Sequence, residues 1–266
     1  MLSPKELRHH PVFRFLCSES AKAASAYHML EEGDRVLVGV SGGEDSLTLM
    51  HVLGNLQKRA PFRFELFACT VNMDFSSFDL PALEAYCRQF GWDWRAVTIP
   101  GSRLLAEKQA EERPCALCSR LRRGQLHAMA DELNCNKIAL GQHLDDLCVS
   151  LLMSLFRGGG LKTMGPNVPA DASSKRLIRP FFSLKKSQIH ELALLMEYPR
   201  IRSCPYEDKL AATGDRAYLE RLLQQLDTEK FPNVREAMLR SMGDLRLAHL
   251  LDKRYIPDVD PDSGKL

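Results

Sequence analysis

The sequence predicts an α/β protein built on a doubly wound parallel sheet, with a helical appendage at the C-terminal end of the chain. Two patterns lead to this prediction. Short apolar runs rich in β-branched residues alternate with stretches of helical periodicity, which is typical of strand–helix–strand units. The runs are apolar throughout, as in parallel strands that helices cover on both faces.

The elements follow in a regular order. The first strand is RVLVGVS (Arg35–Ser41), and the helix that ends near Arg59 has apolar residues at helical spacing and basic residues in its last turn. Further strands are expected at Phe64–Met73, Trp94–Pro100 and Lys137–Gln142, and further helices at Leu80–Gly91, Ser119–Leu133 and Asp145–Phe156. The Gly-, Pro- and Ser-rich stretch 157–174 predicts a loop. The run 176–182 predicts an edge strand, because Pro180 cannot donate a hydrogen bond to a ladder.

These elements divide the chain into four expected regions. An N-terminal helical segment (1–33) precedes an α/β domain (34–184), a C-terminal helical region (185–254) and a tail (255–266). Helices of the third region are expected at 185–196, 214–226 and 232–251.

Composition bounds the class of protein. The 266 residues are 45% hydrophobic and 26% charged, which excludes a disordered or fibrous chain. The net charge is only +2, so contact with nucleic acid must use local basic patches. No run approaches the roughly 18 apolar residues of a membrane helix, and the start lacks the apolar core of a signal peptide. We therefore expect a cytoplasmic protein with no membrane partner and with its eight cysteines reduced.

The string SGGEDS (41–46) lies where the first strand turns into the first helix of the α/β domain. Backbone N–H groups and the helix dipole form an anion site at such a turn, and glycines let the backbone approach phosphate closely. The string is neither GxxxxGK[ST] nor GxGxxG. A tight strand-to-helix turn without a ligand is the alternative reading.

Three cysteines have the spacing or context of ligands. Cys115 and Cys118 form a CxxC at the start of a helix, which by itself leaves packed thiols or a redox pair open. Cys204 lies in a break between helices, and three thiolates leave one position open on a tetrahedral ion or one open iron on an iron–sulfur cube. The other cysteines are expected to be buried: Cys17, Cys69, Cys87, Cys135 and Cys148.

Acidic and basic residues cluster near these motifs. His143, Asp145 and Asp146 follow the strand 137–142 at its carboxyl end, where carboxylates can hold Mg²⁺, although Asp145 could instead cap the next helix. Arg122 lies one helical turn after Cys118 and shares its face. Other basic residues could form an RNA-binding track or a solvated face: Lys175, Arg176, Arg179, Lys185, Lys186, Arg200 and Arg202.

The string 41–46 resembles the PP-loop of the N-type ATP pyrophosphatase superfamily, which cleaves ATP between its α and β phosphates and adenylates a carbonyl oxygen. Together with PCALCSRLRRG, KIALGQHLDD, FRGGGLKTM, IRPF and the Cys204 segment, it makes most of the chain resemble the TtcA-like tRNA 2-thiocytidine synthetase family. The resemblance implies an adenine nucleotide alpha hydrolase-like fold. It also implies an ATP-dependent, [4Fe-4S]-dependent tRNA sulfurtransferase that forms 2-thiocytidine in the anticodon loop.

The resemblance also implies roles for individual residues. Those expected to bind ATP are Ser41, Gly42, Gly43, Asp45, Ser46, Gly141, His143 and Asp146. Asp145 and Arg122 are expected to be catalytic, Cys115, Cys118 and Cys204 to hold the cluster, and Mg²⁺ to accompany ATP. Expected partners are tRNA, a sulfur donor (cysteine desulfurase or free sulfide) and a second copy of the chain in a homodimer.

Two departures from the family pattern bear on the substrate. Glu44 stands where relatives usually carry Lys, and Gln142 where His is expected. Two other functions stay open on the residues alone. One is an amide-forming or other adenylating enzyme with a structural zinc ion, and the other is a non-catalytic metal-containing RNA-binding module.

Overall fold

A mostly parallel sheet organises the chain. The computed structural model describes residues 2–109, 114–171, 173–201 and 204–256, and these form a six-stranded sheet with the order β3-β2-β1-β4-β6-β5. The strands are β1 (Arg35–Gly39), β2 (Glu65–Asn72), β3 (Trp94–Thr98), β4 (Lys137–Ala139), β5 (Asn167–Pro169) and β6 (Arg176–Ile178). Only β5, which pairs antiparallel with β6, breaks the parallel arrangement of this described sheet.

The other main elements of the chain are α-helices. Those of the described residues are α1 (Pro4–His9), α2 (Pro11–Ala26), α3 (Glu44–Arg59), α4 (Leu80–Gln89), α5 (Gly101–Glu107), α6 (Pro114–Glu132), α7 (Leu144–Phe156), α8 (Lys186–Met196), α9 (Glu207–Thr213), α10 (Asp215–Glu229) and α11 (Val234–Met242). Leu37 of β1 lies in one core cluster with Met129 and Ala130 of α6 and with Leu133, the residue after that helix. Helices α2, α3 and α8 pack together. Since side chains alternate along a strand, Val36 and Val38 face the side opposite Leu37.

A buried ion pair joins the amino ends of β1 and β4. The Lys137 ammonium lies 2.7 Å from the Asp34 carboxylate, and both side chains are only 4% exposed. The carboxylate also accepts hydrogen bonds from the Asn136 side-chain amide (2.8 Å) and the Glu31 backbone N–H (2.6 Å). The ion pair and these hydrogen bonds therefore offset the cost of burying the Asp34 charge.

The predicted fold class is confirmed, with one error at the sheet edge. Strand β6 ends at Ile178, before Pro180, so the proline interrupts no ladder and β6 lies inside the sheet. The edge strand is β5, which lies in the stretch predicted to be a loop. Helices α5 and α9 were not predicted, α6 begins at Pro114 instead of Ser119, and the helix expected at 232–251 ends at Met242, before Gly243. Two 3₁₀ turns follow, Leu247–His249 and Lys253–Tyr255.

The chain forms two compact units, Met1–Arg221 and Leu222–Leu266. The first contains the sheet and helices α1–α9. In the second, Asp227 accepts a hydrogen bond from the Val234 backbone N–H (3.1 Å) and pairs with Arg235 (3.5 Å). The predicted boundaries at residues 33 and 184 stay predictions, and most of the predicted tail (257–266) lies outside the described residues. None of the helices described is long and apolar enough to span a membrane.

Candidate nucleotide and metal site

A cleft of about 560 Å³ opens at the carboxyl edge of the sheet. Strand β1 pairs with β2 on one side and with β4 on the other, so strand order reverses at this point, where open α/β sheets bind ligands. The cleft has the volume of an ordinary small-molecule site. Its lining includes Ser41, Asp45, Ser46, Ser119, Arg122, Arg123, Gly141, Gln142, Asp146 and Arg179. The structure thus brings the predicted phosphate loop, the predicted arginine and one predicted carboxylate together.

The phosphate loop is held in shape by its own serines. The Ser46 hydroxyl accepts a hydrogen bond from the Ser41 backbone N–H (3.1 Å) and donates to the Gly43 carbonyl (2.9 Å). Gly42 has a φ of +84°, which glycine adopts without strain. A Cβ at Gly141 would lie 3.0 Å from the Asp45 backbone, so glycine there allows the strand end to touch the loop. The loop therefore presents the positive end of α3 to the cleft, as an anion site requires.

Glu44 is turned towards α8, where two basic side chains meet it. Its carboxylate lies 2.8 Å from His190 Nδ1 and 2.9 Å from Lys186 Nζ. The Lys186 ammonium also lies 2.6 Å and 2.7 Å from the two carboxylate oxygens of Asp45. Burial raises the pKa of Glu44, but its bonds to His190 and Lys186 outweigh burial and lower that pKa. Burial lowers the pKa of Lys186, while Asp45 and Glu44 raise it above the ordinary value.

His143 is buried among three carboxylates. Its Nε2 lies 3.4 Å from Asp146 and 3.8 Å from Asp45, and its Nδ1 lies 3.5 Å from Asp145. Burial lowers the pKa of His143, but the three carboxylates together raise it above its usual value. Lys186 pairs with Asp45 and Arg216 pairs with Asp146 (3.0 Å), so the negative charge of this corner is partly compensated. Carboxylate oxygens are the ligands that a divalent cation such as Mg²⁺ prefers.

The two adjacent aspartates differ in position. Asp146 lines the cleft and accepts a hydrogen bond from the His143 backbone N–H (3.2 Å), so it supports the start of α7. Asp145 accepts from the backbone N–H of Lys186 (2.8 Å), the first residue of α8. Asp145 therefore supports α8 instead of capping its own helix, and the carboxylates on the cleft wall are Asp45 and Asp146.

The three candidate ligand cysteines are neighbours. Cys115 is exposed in the first turn of α6, Cys204 is half-buried, and Cys118 is buried with Met73, Phe75 and Leu105. Burial raises the pKa of Cys118, Arg122 lowers it, and the charges of Cys204 and Cys115 raise it further. Cys115, Cys118 and Arg122 lie on successive turns of α6, and Tyr206, two residues after Cys204, packs on the apolar cluster that contains Cys118.

Among the described residues, no three or more His, Cys, Asp or Glu side chains are arranged around one metal ion. A single zinc ion needs its sulfurs within about 2.3 Å of one centre. A cube of four irons takes each thiolate on a different iron, so its ligands stand farther apart. Magnesium uses one or two carboxylates together with waters and phosphates. Soft thiolates suit iron or zinc and hard carboxylates suit Mg²⁺, so the two groups of side chains differ in the metal that they would hold.

The five cysteines expected to be structural are all buried: Cys17, Cys69, Cys87, Cys135 and Cys148. Burial raises the pKa of Cys17, Cys69 and Cys87 to about 12, and that of Cys135 to about 11. Such thiols stay protonated and are poor ligands and nucleophiles.

Several residues of the expected RNA-binding track turn inward instead. Lys175 is buried and pairs with Asp131, and Arg176 donates to the Asn167 side chain (2.6 Å). Arg179 is 5% exposed, lines the cleft and donates to Gln142. Arg202 lies outside the described residues.

Lys186 and Arg179 are thus site residues that sequence reasoning assigned elsewhere. Burial lowers the pKa of Arg179 to about 10, so its guanidinium stays charged at neutral pH. Their position in the sequence could have indicated this role, because both residues follow β6 at the carboxyl edge of the sheet, where ligands bind.

A glycine-containing anion loop at the switch point of a mostly parallel sheet defines a nucleotide-binding α/β protein of the PP-loop class. The model of the PP-loop domain family matches residues 17–198. The chain belongs to the tRNA-cytidine(32) 2-sulfurtransferase family, as the sequence predicted. It is 38% identical over 246 residues to the member from Syntrophotalea carbinolica, covering 91% of this chain and 93% of the relative. It is 34% identical over 258 residues to the member from Pelobacter propionicus, covering 95% and 94%.

A solved structure shares the fold. The U34-tRNA thiolase NcsA from Methanococcus maripaludis, solved with its [4Fe-4S] cluster, superimposes with a TM-score of 0.67. The match covers 90% of this chain and 80% of NcsA at 21% identity.

Proposed function

We propose that this chain is an ATP-dependent tRNA-cytidine 2-sulfurtransferase that adenylates the C2 oxygen of an anticodon-loop cytidine and replaces it with sulfur. The observation that carries the proposal is the position of Arg122. Its side chain lines the same cleft as Ser41 and Ser46, and it lies one turn after Cys118 on the same helix. Helix α6 therefore joins the nucleotide cleft to the cysteine trio.

The first step is adenylation. The phosphate loop binds the β and γ phosphates of ATP through backbone N–H groups. Asp45 and Asp146, which line the cleft, would hold Mg²⁺. The cytosine O2 attacks the α phosphorus, the bond to pyrophosphate breaks, and pyrophosphate leaves. Arg122 neutralises charge that develops on the α phosphate, and no activated side-chain nucleophile is required.

The second step is sulfur transfer. A sulfide sulfur attacks C2 of the activated base, and the C2–O bond breaks so that AMP leaves with the former base oxygen. In this proposal Cys115, Cys118 and Cys204 would hold a [4Fe-4S] cluster. When bound, such a cluster supplies one iron without a protein ligand, which suits sulfide. NcsA, which shares this fold, is described with a [4Fe-4S] cluster and as a tRNA thiolase.

The partners follow from this reaction. They are tRNA and a sulfur donor, which is either a cysteine desulfurase or free sulfide. The proposal also includes a homodimer and a cytoplasmic location. The relatives' names support tRNA as substrate and position 32 as its target. Asp145, predicted to be catalytic, would act from the first turn of α7, where it accepts a hydrogen bond from the Lys186 backbone N–H.

Anaerobic reconstitution tests the proposal. Protein loaded with iron and sulfide is incubated with ATP, Mg²⁺, sulfide and tRNA that lacks 2-thiocytidine, and the digested nucleosides are analysed by mass spectrometry. We expect 2-thiocytidine and one AMP for each sulfur inserted. Cys118→Ala should abolish thiolation, while the matched change Cys87→Ala of a buried thiol should retain it. Thiolation by zinc-loaded protein at the normal rate would instead favour a structural metal, and AMP formation with ammonia alone would favour an amide-forming enzyme.

A further inference from the structure

The stretch that follows α8 rests on the phosphate loop. A Cβ placed on Gly42 would lie 2.9 Å from both Cβ and Cγ2 of Ile201, so the isoleucine side chain packs directly against the Gly42 backbone. Three residues earlier, the Tyr198 hydroxyl lies 3.0 Å from the Thr48 hydroxyl in the second turn of α3. The ring of Tyr198 also stacks on His51, with a 10° interplanar angle. Residues 198–201 are therefore docked on the loop and on the helix that follows it.

The same stretch of chain leads to the cysteine trio. Cys204 is three residues beyond Ile201, and three residues span at most about 11 Å. Tyr206 packs on the apolar cluster that contains Cys118, with its ring edge-on to Phe75 at 6.5 Å. The chain thus contacts the phosphate loop at Ile201, before Cys204, and the surroundings of Cys118 at Tyr206, after Cys204.

We propose that Ile201 is a positioning residue that couples the nucleotide cleft to the cysteine trio. The inference rests on the proposed function, because it takes ATP and an iron–sulfur cluster as the two ligands. A cluster that fixes Cys204 restrains Ile201 against Gly42 and orders the phosphate loop. Nucleotide binding then costs less conformational entropy, because the loop is already ordered. Each ligand therefore increases the affinity for the other.

Coupling of this kind is reciprocal and is measured as a ratio of affinities. Coupling between two sites commonly changes affinity by about 5- to 150-fold. Since a single apolar contact transmits it here, we expect the lower end. Iron-loaded protein should bind ATP about 5- to 10-fold more tightly than iron-free protein.

The experiment measures that ratio in matched variants. ATP affinity is determined by anaerobic calorimetry on iron-loaded and iron-free forms of the wild type, Ile201→Ala, Ile201→Val and Leu194→Ala. Leu194 is an apolar residue of α8 that is 67% exposed, so it controls for loss of apolar volume. The ratio compared is the ATP affinity of the iron-loaded form divided by that of the iron-free form. We expect it to be less than twofold in Ile201→Ala and to keep its wild-type value in Ile201→Val and Leu194→Ala. The iron content of the loaded forms should be the same in all four proteins.

Two results would overturn the inference. One is a wild-type ratio within twofold of one in protein that binds both ATP and iron, and the other is an unchanged ratio in Ile201→Ala. Failure of the proposed function would look different, because the wild type would then bind no ATP or no iron–sulfur cluster. If Ile201→Ala does not fold, hydrogen exchange on the wild type decides. Iron loading should slow amide exchange in residues 41–46, and unchanged exchange there refutes the coupling.

Discussion

Replacing Lys186 by Gln removes the cation that lies between the two carboxylates of the phosphate loop. The ammonium is within 2.9 Å of Glu44 and within 2.7 Å of both Asp45 oxygens. Without it, the Asp45 carboxylate on the cleft wall loses the cation that holds both of its oxygens, while Glu44 keeps only His190, so Asp45 repels the incoming phosphates. Charge-assisted hydrogen bonds contribute about 1.5–3 kcal/mol. The Lys186 side chain is 39% exposed, so solvent screening favours the lower end of that range.

We therefore expect the affinity for pyrophosphate to fall about tenfold, equivalent to about 1.4 kcal/mol. The assay is calorimetric titration of pyrophosphate without divalent cations, followed by ATP with Mg²⁺. Lys58→Gln is the matched control, because Lys58 lies in the last turn of α3, about 21 Å along the helix from Glu44. The reasoning fails if Lys186→Gln binds pyrophosphate as tightly as Lys58→Gln does.

Three further predictions concern the fold around the site. Gly42→Ala should destabilise the protein by about 1–3 kcal/mol more than Gly43→Ala in urea unfolding, because φ is +84° at Gly42 and −77° at Gly43. Equal midpoints would contradict this. Lys137→Met should cost about 3–5 kcal/mol, since it leaves the buried Asp34 carboxylate without its cation. Wild-type stability would show that the pair is dispensable. His51→Gln should lose less stability than the wild type as the pH falls. Burial lowers the pKa of His51 to about 3 in the folded protein, whereas the same side chain in the unfolded chain takes up a proton below about pH 6.5. Wild-type stability should therefore fall by about 2 kcal/mol more than the variant's between pH 7 and 5, and parallel losses would refute the assignment.

The sequence was sufficient for the elements whose signals are local. The apolar run of β1 and the glycines after it predict a strand, a tight turn and a helix without reference to any other part of the chain, and the structure confirms this unit. The family follows from motifs of the same local kind and is also confirmed. The prediction of the edge strand is wrong because the strand ends at Ile178, so Pro180 lies outside it and indicates nothing about its place in the sheet.

Long-range pairing explains what the sequence could not predict. Glu44 and Lys186 are far apart in the chain, so no periodicity indicates that they form an ion pair. Likewise, Asp145 has the pattern of a helix cap, but the helix it supports is α8. The contact between Ile201 and Gly42 depends on how the stretch after α8 folds back on the sheet edge. The ligand set and the individual catalytic roles stay predictions.

The most direct test of the proposed function is the nucleoside composition of tRNA in a host that makes no 2-thiocytidine. The chain is expressed there as wild type and as Cys204→Ala, and tRNA digests are compared by mass spectrometry. We expect 2-thiocytidine with the wild type and none with Cys204→Ala at equal protein level. Absence of 2-thiocytidine with soluble, iron-loaded wild type, or equal amounts with both proteins, would contradict the assignment.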